Sequence, residues 1–444
     1  MNQFSVRQVV FLMLVTIVGI LWSVVFKIPL VIGFLPGYGI LVYLAIKRGL
    51  KWHQILHISL QGVFTTRIVI IILLLVSLLM PSWYLSGTID QMVKAALSII
   101  NPQHFFVLSF IIAMIFSMIL GTTVGTLSAV GVPILGTAMF LNLPLEIVAG
   151  ALVSGAFVGD RTSPFSSAHQ LLAHTLEVPV KRQGKAMLLT TILAVSLSIL
   201  IYGSFDFFSG AQEQVRDHQS FLMDANSLIK VVPPLVLILM VILKIRITYV
   251  FISSILAASF ISLISGLAVQ SLAAAFWRGI DGIGGGLENM YELLLFLALA
   301  GAYNGLVERL NVIQPYLDKW LVTSRSLVGD TGKTLVATLL ISMISANQTL
   351  PIILTGRSFL PHWSSRYSKE ELARVMGDTT MLFPGMVPWS VLAIMCSTIL
   401  GLPILDYLPY AIFLWILPLL TLTISFVKAI GISKRTLSVL SRVK

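Results

Sequence analysis

Charged residues are scarce in this 444-residue sequence: they make up 11% of it, and 57% of the residues are hydrophobic. A soluble domain has about 25% charged and about 45–50% apolar residues, so the composition excludes a soluble enzyme. Cysteine is nearly absent as well. The single Cys396 lies in an apolar stretch, which excludes a disulfide framework and a thiolate metal cage, and we expect it to be a small buried apolar residue.

Sequence signatures of catalysis and of cofactor binding are missing. The chain has no His-Glu-x-x-His pattern, no cysteine pair, no Walker lysine loop and no Gly-x-Gly-x-x-Gly motif after a strand. Lys and Arg outnumber Asp and Glu by 29 to 18, yet no basic cluster with interleaved aromatic residues accompanies this excess. We therefore predict that the protein is not an enzyme, uses no cofactor and binds no nucleic acid.

Long uncharged runs dominate the sequence, and a helix needs about 20 apolar residues to cross a membrane. The run from Ala95 to Leu145 is more than twice that length, and glycines and Pro133 interrupt it. This run must therefore fold back on itself. We predict an all-α polytopic membrane protein in contact with lipid, with roughly 10–12 transmembrane segments and with broken helices or re-entrant hairpins.

Short basic loops between the apolar runs set the expected orientation, because Lys and Arg in such loops favour the cytoplasmic side. These residues are Lys47, Arg48, Lys51, Lys181, Arg182, Lys185, Lys244, Arg246, Lys434, Arg435, Arg442 and Lys444. The mid-chain polar stretch falls between two such loops, so we expect it outside. The sequence thus predicts a multi-pass protein of the cell inner (plasma) membrane with both termini in the cytoplasm.

Two similar motifs indicate an internal repeat. The first half reads VGDRTSPFSS from Val158 to Ser167, and the second reads MGDTTMLFPGMVPW from Met376 to Trp389. Upstream of each motif, small and polar residues interrupt an apolar run, at Gly121 to Pro133 and at Ser345 to Pro351. The helices that open the two repeats start after loops on opposite sides, which favours two inverted-topology repeats that each contribute a broken element to the bilayer midplane.

This organisation divides the chain into six parts. We predict N-terminal transmembrane helices over 1–59, a first transport repeat over 60–203, an external connector over 204–228, linking transmembrane helices over 229–284, a second, inverted transport repeat over 285–428 and a basic cytoplasmic tail over 429–444.

Asp160 and Asp378 are the leading candidates for chemistry, because a carboxylate near the bilayer centre costs about 2.5–3.5 kcal/mol and is functional by default. Hydroxyl groups beside them can complete an all-oxygen shell for a hard cation such as sodium. These hydroxyls belong to Thr162, Ser163, Thr379 and Thr380. The alternative is that each Asp caps a helix N-terminus. Arg161 could neutralise Asp160 or be displaced from it by a cation.

The breaks upstream supply a second set of polar residues, which we expect to line a substrate site or to satisfy backbone groups and helix contacts. They are Thr122, Thr123, Thr126, Asn347, Gln348 and Thr349. Glu288 and Glu292 are an i, i+4 pair that could form a proton relay, the alternative being a solvated helix end. For His169 and His174 the alternatives are a pH sensor and a solvated loop.

The stretch from Gly121 to Ser167 resembles the NhaC family of sodium/proton antiporters, a branch of the ion-transporter superfamily. Its most specific parts are Gly121-Thr122, Gly125-Thr126, Gly159-Asp160 and Ser163-Pro164, with Gly377-Asp378-Thr379-Thr380 and Pro388-Trp389 in the second half. The resemblance implies secondary antiport, in which sodium efflux is coupled to proton entry, on two inverted repeats with re-entrant hairpins.

The chain departs from the family pattern after Ser163-Pro164. The family usually continues with Leu-Ser-Asp-Thr-Thr, whereas residues 165–169 read Phe-Ser-Ser-Ala-His, so a second carboxylate is missing. Related members exchange malate and lactate, and others carry amino acids. We predict a sodium/proton antiporter in which cation and proton compete at midplane aspartates, the alternative being a cation-coupled carrier of an organic acid or amino acid. A homodimer is left open.

Overall fold

The computed structural model describes residues 4–26, 28–99, 102–208, 229–243, 245–280, 285–312, 316–317, 320, 326–345 and 347–442, and these are almost entirely helical. The prediction of an all-α polytopic membrane protein is confirmed. The helices of the first half are α1 (Val6–Val25), α2 (Leu30–Lys47), α3 (Trp52–Leu85), α4 (Thr88–Ile99), α5 (Phe105–Leu120), α6 (Thr123–Thr126), α7 (Val132–Phe140), α8 (Leu145–Thr162), α9 (Ser167–Leu176) and α10 (Val180–Phe208).

The second half continues with shorter helices and ends on a long one. Its helices are α11 (Val232–Ile242), α12 (Ile247–Ile264), α13 (Val269–Arg278), α14 (Tyr291–Arg309), α15 (Leu327–Ser345), α16 (Thr349–Ser364), α17 (Lys369–Gly377), α18 (Phe383–Met386), α19 (Val391–Leu400), α20 (Ile404–Tyr407) and α21 (Ile412–Arg442).

Among the described residues, eight helical segments are long and apolar enough to cross a membrane, one of them the combined stretch Thr123–Phe140. The pair Val391–Leu400 and Ile404–Tyr410 passes the same test together but bends by 90° at its break. Two further apolar helices, Phe105–Leu120 and Val232–Ile242, are shorter. The predicted count of roughly 10–12 transmembrane segments stays a prediction.

The predicted break in the first half lies where the glycines and prolines indicate it. Helix α5 ends at Gly121, whose φ of 68° is left-handed backbone that glycine adopts without strain. Thr122 then caps the short helix α6, and a π-helical turn at Leu127–Gly131 joins α6 to α7. A π turn leaves the regular hydrogen-bond ladder and is common at functional sites. The apolar run from Ala95 to Leu145 thus folds back on itself, as predicted.

The second break separates α15 from α16. Helix α15 ends at Ser345, and Asn347 accepts a hydrogen bond from the backbone N–H of Leu350 at 2.9 Å, so its side chain satisfies the start of α16. Each half of the chain therefore contains a helix, a polar break, a further helix and a Gly-Asp motif in the same order. The inverted relation between the halves stays a prediction.

Small residues on α8 allow it to lie directly against α5. A Cβ on Gly155 would lie 2.4 Å from the carbonyl oxygen of Phe110, and one on Gly159 would lie 2.1 Å from that of Ser117. Both distances are too short for any side chain, so the glycines permit the close approach of the two backbones. The contact fixes the position of Asp160 relative to α5, because Asp160 directly follows Gly159.

Three of the predicted domain boundaries fall inside helices. Helix α3 runs across 59/60, α10 across 203/204 and α21 across 428/429. A helix that spans a membrane continues past the point where the sequence pattern changes, so these boundaries do not coincide with helix ends, and the division into repeats stays a prediction. Most of the predicted external connector, 209–228, lies outside the described residues.

Candidate functional site

Both Gly-Asp motifs lie at the C-terminal ends of helices. Asp160 is in the last turn of α8, and Asp378 is the C-cap residue of α17. The alternative that each Asp caps a helix N-terminus is therefore wrong. A carboxylate at a helix C-terminus faces the negative end of the helix dipole, so each of these aspartates needs compensation from elsewhere in the fold.

Arg161 supplies that compensation to Asp378 and joins the two motifs. Its guanidinium forms an ion pair with Asp378, and both side chains are fully buried. The same guanidinium donates from Nε to the carbonyl of Gly377 at 3.1 Å, from NH1 to Thr191 at 2.6 Å and from NH2 to Thr190 at 2.8 Å. Arg161 thus serves the aspartate of the other motif rather than its own neighbour, Asp160.

A second arginine connects this pair to the molecular surface. Arg374, one turn before Asp378 on α17, lies 4.0 Å from its carboxylate and also pairs with Glu371. Lys428 of α21 reaches the other oxygen of Glu371 at 2.6 Å. Burial raises the pKa of Glu371, but the nearby Arg374 and Lys428 together lower it by more, so the pKa lies below its ordinary value.

Asp160 has a different environment, built by both halves of the chain. Its carboxylate is buried, accepts a hydrogen bond from the Gln348 amide at 3.1 Å and lies near the backbone N–H of Thr123. The buried thiol of Cys396 lies within range of its charge. None of the ion pairs in the described part of the chain includes Asp160. Of the two motif aspartates, Asp160 is thus the one held by neutral groups.

Most of the predicted hydroxyl groups donate to backbone carbonyls, and the Ser163 hydroxyl also accepts from the backbone N–H of Phe165 at 3.3 Å. Thr126, Thr162, Thr379 and Thr380 each bond the carbonyl four residues earlier, at 2.5–2.8 Å, and Ser163 bonds that of Met118 at 2.8 Å. The hydroxyl of Thr123 is buried and has no hydrogen-bond partner among the described residues. The backbone of the same residue lies beside Asp160, so Thr123 is the one predicted residue near that carboxylate whose hydroxyl is unpaired among the described residues.

A sequence model of the Na+/H+ antiporter family matches residues 155–429, more than half of the chain, and this range includes both Gly-Asp motifs. The chain belongs to the Na+/H+ antiporter family. Homologues of this family are transporters, so the prediction that the protein is not an enzyme is confirmed.

Curated relatives cover most of this antiporter-family chain. It is 26% identical to the Na(+)/H(+) antiporter NhaC of Bacillus subtilis, over 86% of this chain and 88% of the relative. It is 28% identical to the NhaC of Alkalihalophilus pseudofirmus, over 82% and 83%. The Malate-2H(+)/Na(+)-lactate antiporter of Bacillus subtilis is 25% identical, over 89% and 88%. The predicted resemblance to NhaC antiporters is confirmed.

Other residues singled out by sequence lie apart from these contacts. Glu288 and Glu292 are exposed, Glu288 before α14 and Glu292 in its first turn, where a carboxylate suits the helix dipole. Thr349 is exposed at the start of α16. His169 is buried, with its Nδ1 2.7 Å from the carbonyl oxygen of Arg161, so the solvated-loop interpretation is wrong for it, whereas His174 is exposed.

The partner of Arg161 is not evident from the sequence. Adjacency suggests only Asp160, and no motif marks Thr190 or Thr191 as partners of the guanidinium. A second missed cluster surrounds the fully buried Asp330, which lies 3.1 Å from both His362 and Arg366. Contacts between residues about 30 or more positions apart leave no signal in one sequence.

Proposed function

We propose that the protein exchanges sodium ions for protons across the plasma membrane, and that the two cations compete for Asp160. The observation that carries this proposal is the asymmetry between the motif aspartates. Asp378 is neutralised by Arg161, whereas Asp160 is buried among neutral hydrogen-bonding groups. A buried carboxylate without a fixed cationic partner gains most from a proton or a mobile cation.

The surroundings of Asp160 suit a cation better than an anion. The C-terminal end of a helix carries a partial negative charge, so the end of α8 attracts positive ions. The available donors are oxygen atoms of a carboxylate, a hydroxyl and backbone carbonyls, which hard cations prefer. We infer that the Asp160 carboxylate binds the sodium ion, with Thr123, Thr162 and Ser163 on the segments that adjoin it.

Asp378 has a separate role in this proposal. Its pairing with Arg161 links the end of α17 to the end of α8, and Thr379 and Thr380 continue that segment. The pair holds the two halves together around Asp160 in the conformation described here. Transport then requires one half to move against the other so that the site opens to each side in turn.

The orientation that fits this proposal has both termini in the cytoplasm. Helix α2 ends at Lys47, and the basic residues Lys181, Arg182 and Lys185 lie at the start of α10, so these ends face inward by the positive-inside rule. A site-directed labelling experiment on the two termini gives the sidedness independently of any transport assay.

The alternative is sodium-coupled exchange of an organic acid or an amino acid, which the similarity to the malate/lactate antiporter favours. An organic carboxylate needs a cationic group, and the arginine beside Asp160 is Arg161. That guanidinium is fully buried and makes hydrogen bonds to Gly377, Thr190, Thr191 and Asp378. Because these hydrogen bonds occupy the Arg161 guanidinium, it is not available to an organic carboxylate. This favours sodium/proton antiport without an organic substrate.

Purified protein in proteoliposomes separates these functions. We expect an imposed sodium gradient to change the internal pH in the absence of any organic substrate, because a sodium ion that binds Asp160 displaces a proton. The measurement follows a trapped pH-sensitive dye after addition of sodium, with malate, lactate or an amino acid present or absent. Proton movement that requires the organic compound would establish the alternative.

A further inference from the structure

Gln348 connects the two halves of the chain at Asp160. It lies directly before α16, in the break that follows α15, and its side-chain Nε2 makes two hydrogen bonds. One goes to Asp160 Oδ2 at 3.1 Å, and the other goes to the carbonyl oxygen of Met381 at 2.9 Å. Both protons of the amide are therefore used, one for each half of the chain.

The break is held in place independently of the Gln348 side chain. Asn347 accepts from the backbone of Leu350, the Ser345 hydroxyl donates to the Asn347 carbonyl at 3.3 Å, and Asn304 of α14 donates to the Ser345 carbonyl. The backbone of Gln348 is thus fixed while its amide group can rotate. A half-turn of the amide exchanges its oxygen and nitrogen with little change in shape.

The present orientation of Gln348 cannot persist when a cation binds Asp160 Oδ2, because the amide N–H points at the same oxygen and carries partial positive charge. After a half-turn, Oε1 takes the place of Nε2, about 3 Å from Asp160 Oδ2 and from the Met381 carbonyl oxygen. Three oxygens this close repel one another unless a cation lies between them, and hard cations select such a set.

We propose that Gln348 is a specificity-determining ligand of the transported cation, whose amide oxygen binds the ion together with Asp160 and the Met381 carbonyl. This inference rests on the proposed role of Asp160. In the cation-free state the amide nitrogen links Asp160 to Met381, and cation binding replaces both hydrogen bonds by bonds from oxygen to the ion. Occupancy at Asp160 in one half therefore changes a contact in the other half.

The test is sodium binding to the purified full-length protein, measured by calorimetry at one alkaline pH. Gln348→Met removes the amide but keeps the length of the side chain. We expect it to raise the sodium dissociation constant by about tenfold. Gln348→Glu restores an oxygen at that position, so we expect affinity equal to or tighter than that of the original protein. Gln170→Met, on the exposed face of α9, is the matched control and leaves the affinity unchanged.

Two outcomes overturn the inference: unchanged affinity in Gln348→Met, or a Gln348→Glu variant that binds as weakly as Gln348→Met. The second outcome would mean that the amide acts only as a hydrogen-bond donor. If Gln348→Met fails to fold, sodium binding by Gln348→Glu that is weaker than that of the original protein overturns the inference. Asp160→Asn is measured alongside, and sodium binding that persists in that variant contradicts the proposed function itself, whatever Gln348 does.

Discussion

We expect Asp160→Asn to reduce sodium-driven proton movement to the level of protein-free liposomes while the protein still inserts and folds. Asn keeps the shape of the side chain but carries no charge, so neither a proton nor a sodium ion has a carboxylate to bind. The carboxylate accepts hydrogen bonds from neutral groups only. Removing its charge therefore leaves no buried cation without a partner, and stability is preserved.

The control for this variant is the same substitution at an exposed position. Asp406 of α20 is exposed, so Asp406→Asn should transport at the original rate. Size-exclusion chromatography and thermal unfolding in detergent establish that both variants are folded. Near-normal exchange by Asp160→Asn at saturating sodium would assign the competing carboxylate to another residue.

Loss of one partner of the Arg161–Asp378 pair is expected to lower the stability of the folded protein as well as its transport activity. Breaking a buried ion pair leaves an uncompensated charge and costs about 3–5 kcal/mol. Arg161→Gln leaves Asp378 with Arg374, at 4.0 Å, as its one cationic partner among the described residues, and Asp378→Asn leaves the guanidinium of Arg161 without its carboxylate. We expect both single variants to give little folded protein and a lowered melting temperature.

The double variant Arg161→Gln/Asp378→Asn distinguishes a charge effect from a packing effect. It removes both charges, so it should be more stable than either single variant, because no buried charge is left unpaired. Arg182→Gln is the matched control. Its partner Glu370 is 3.9 Å away and the Arg182 side chain is 71% exposed, and such surface pairs contribute about 0–1 kcal/mol. A double variant no more stable than the weaker single variant would contradict this explanation.

Sequence predicts the helical architecture and the breaks well, because their causes are local. Gly121 ends α5 through a backbone conformation that glycine favours, and the small residues before Asp160 predict close contact with another helix, which α5 provides. The burial of Cys396 follows from its apolar surroundings in the same way and is confirmed.

The different environments of the two aspartates could not be predicted from the sequence. The two motifs share Gly-Asp-x-Thr, so symmetry suggests equal roles, and only the folded chain shows that Arg161 pairs with Asp378. The contact of Gln348 with Asp160 joins residues 188 positions apart. A repeat pattern indicates which segments meet. It carries no information on which pairs of side chains form hydrogen bonds or ion pairs.

The dependence of apparent sodium affinity on pH, measured as sodium-driven proton movement in proteoliposomes, tests the central claim most directly. If sodium and proton compete for Asp160, the sodium concentration at half-maximal rate rises as pH falls, and the maximal rate at saturating sodium is unchanged, because a protonated carboxylate cannot hold a hard cation. A half-maximal sodium concentration that stays constant as the pH is varied would contradict competition at Asp160.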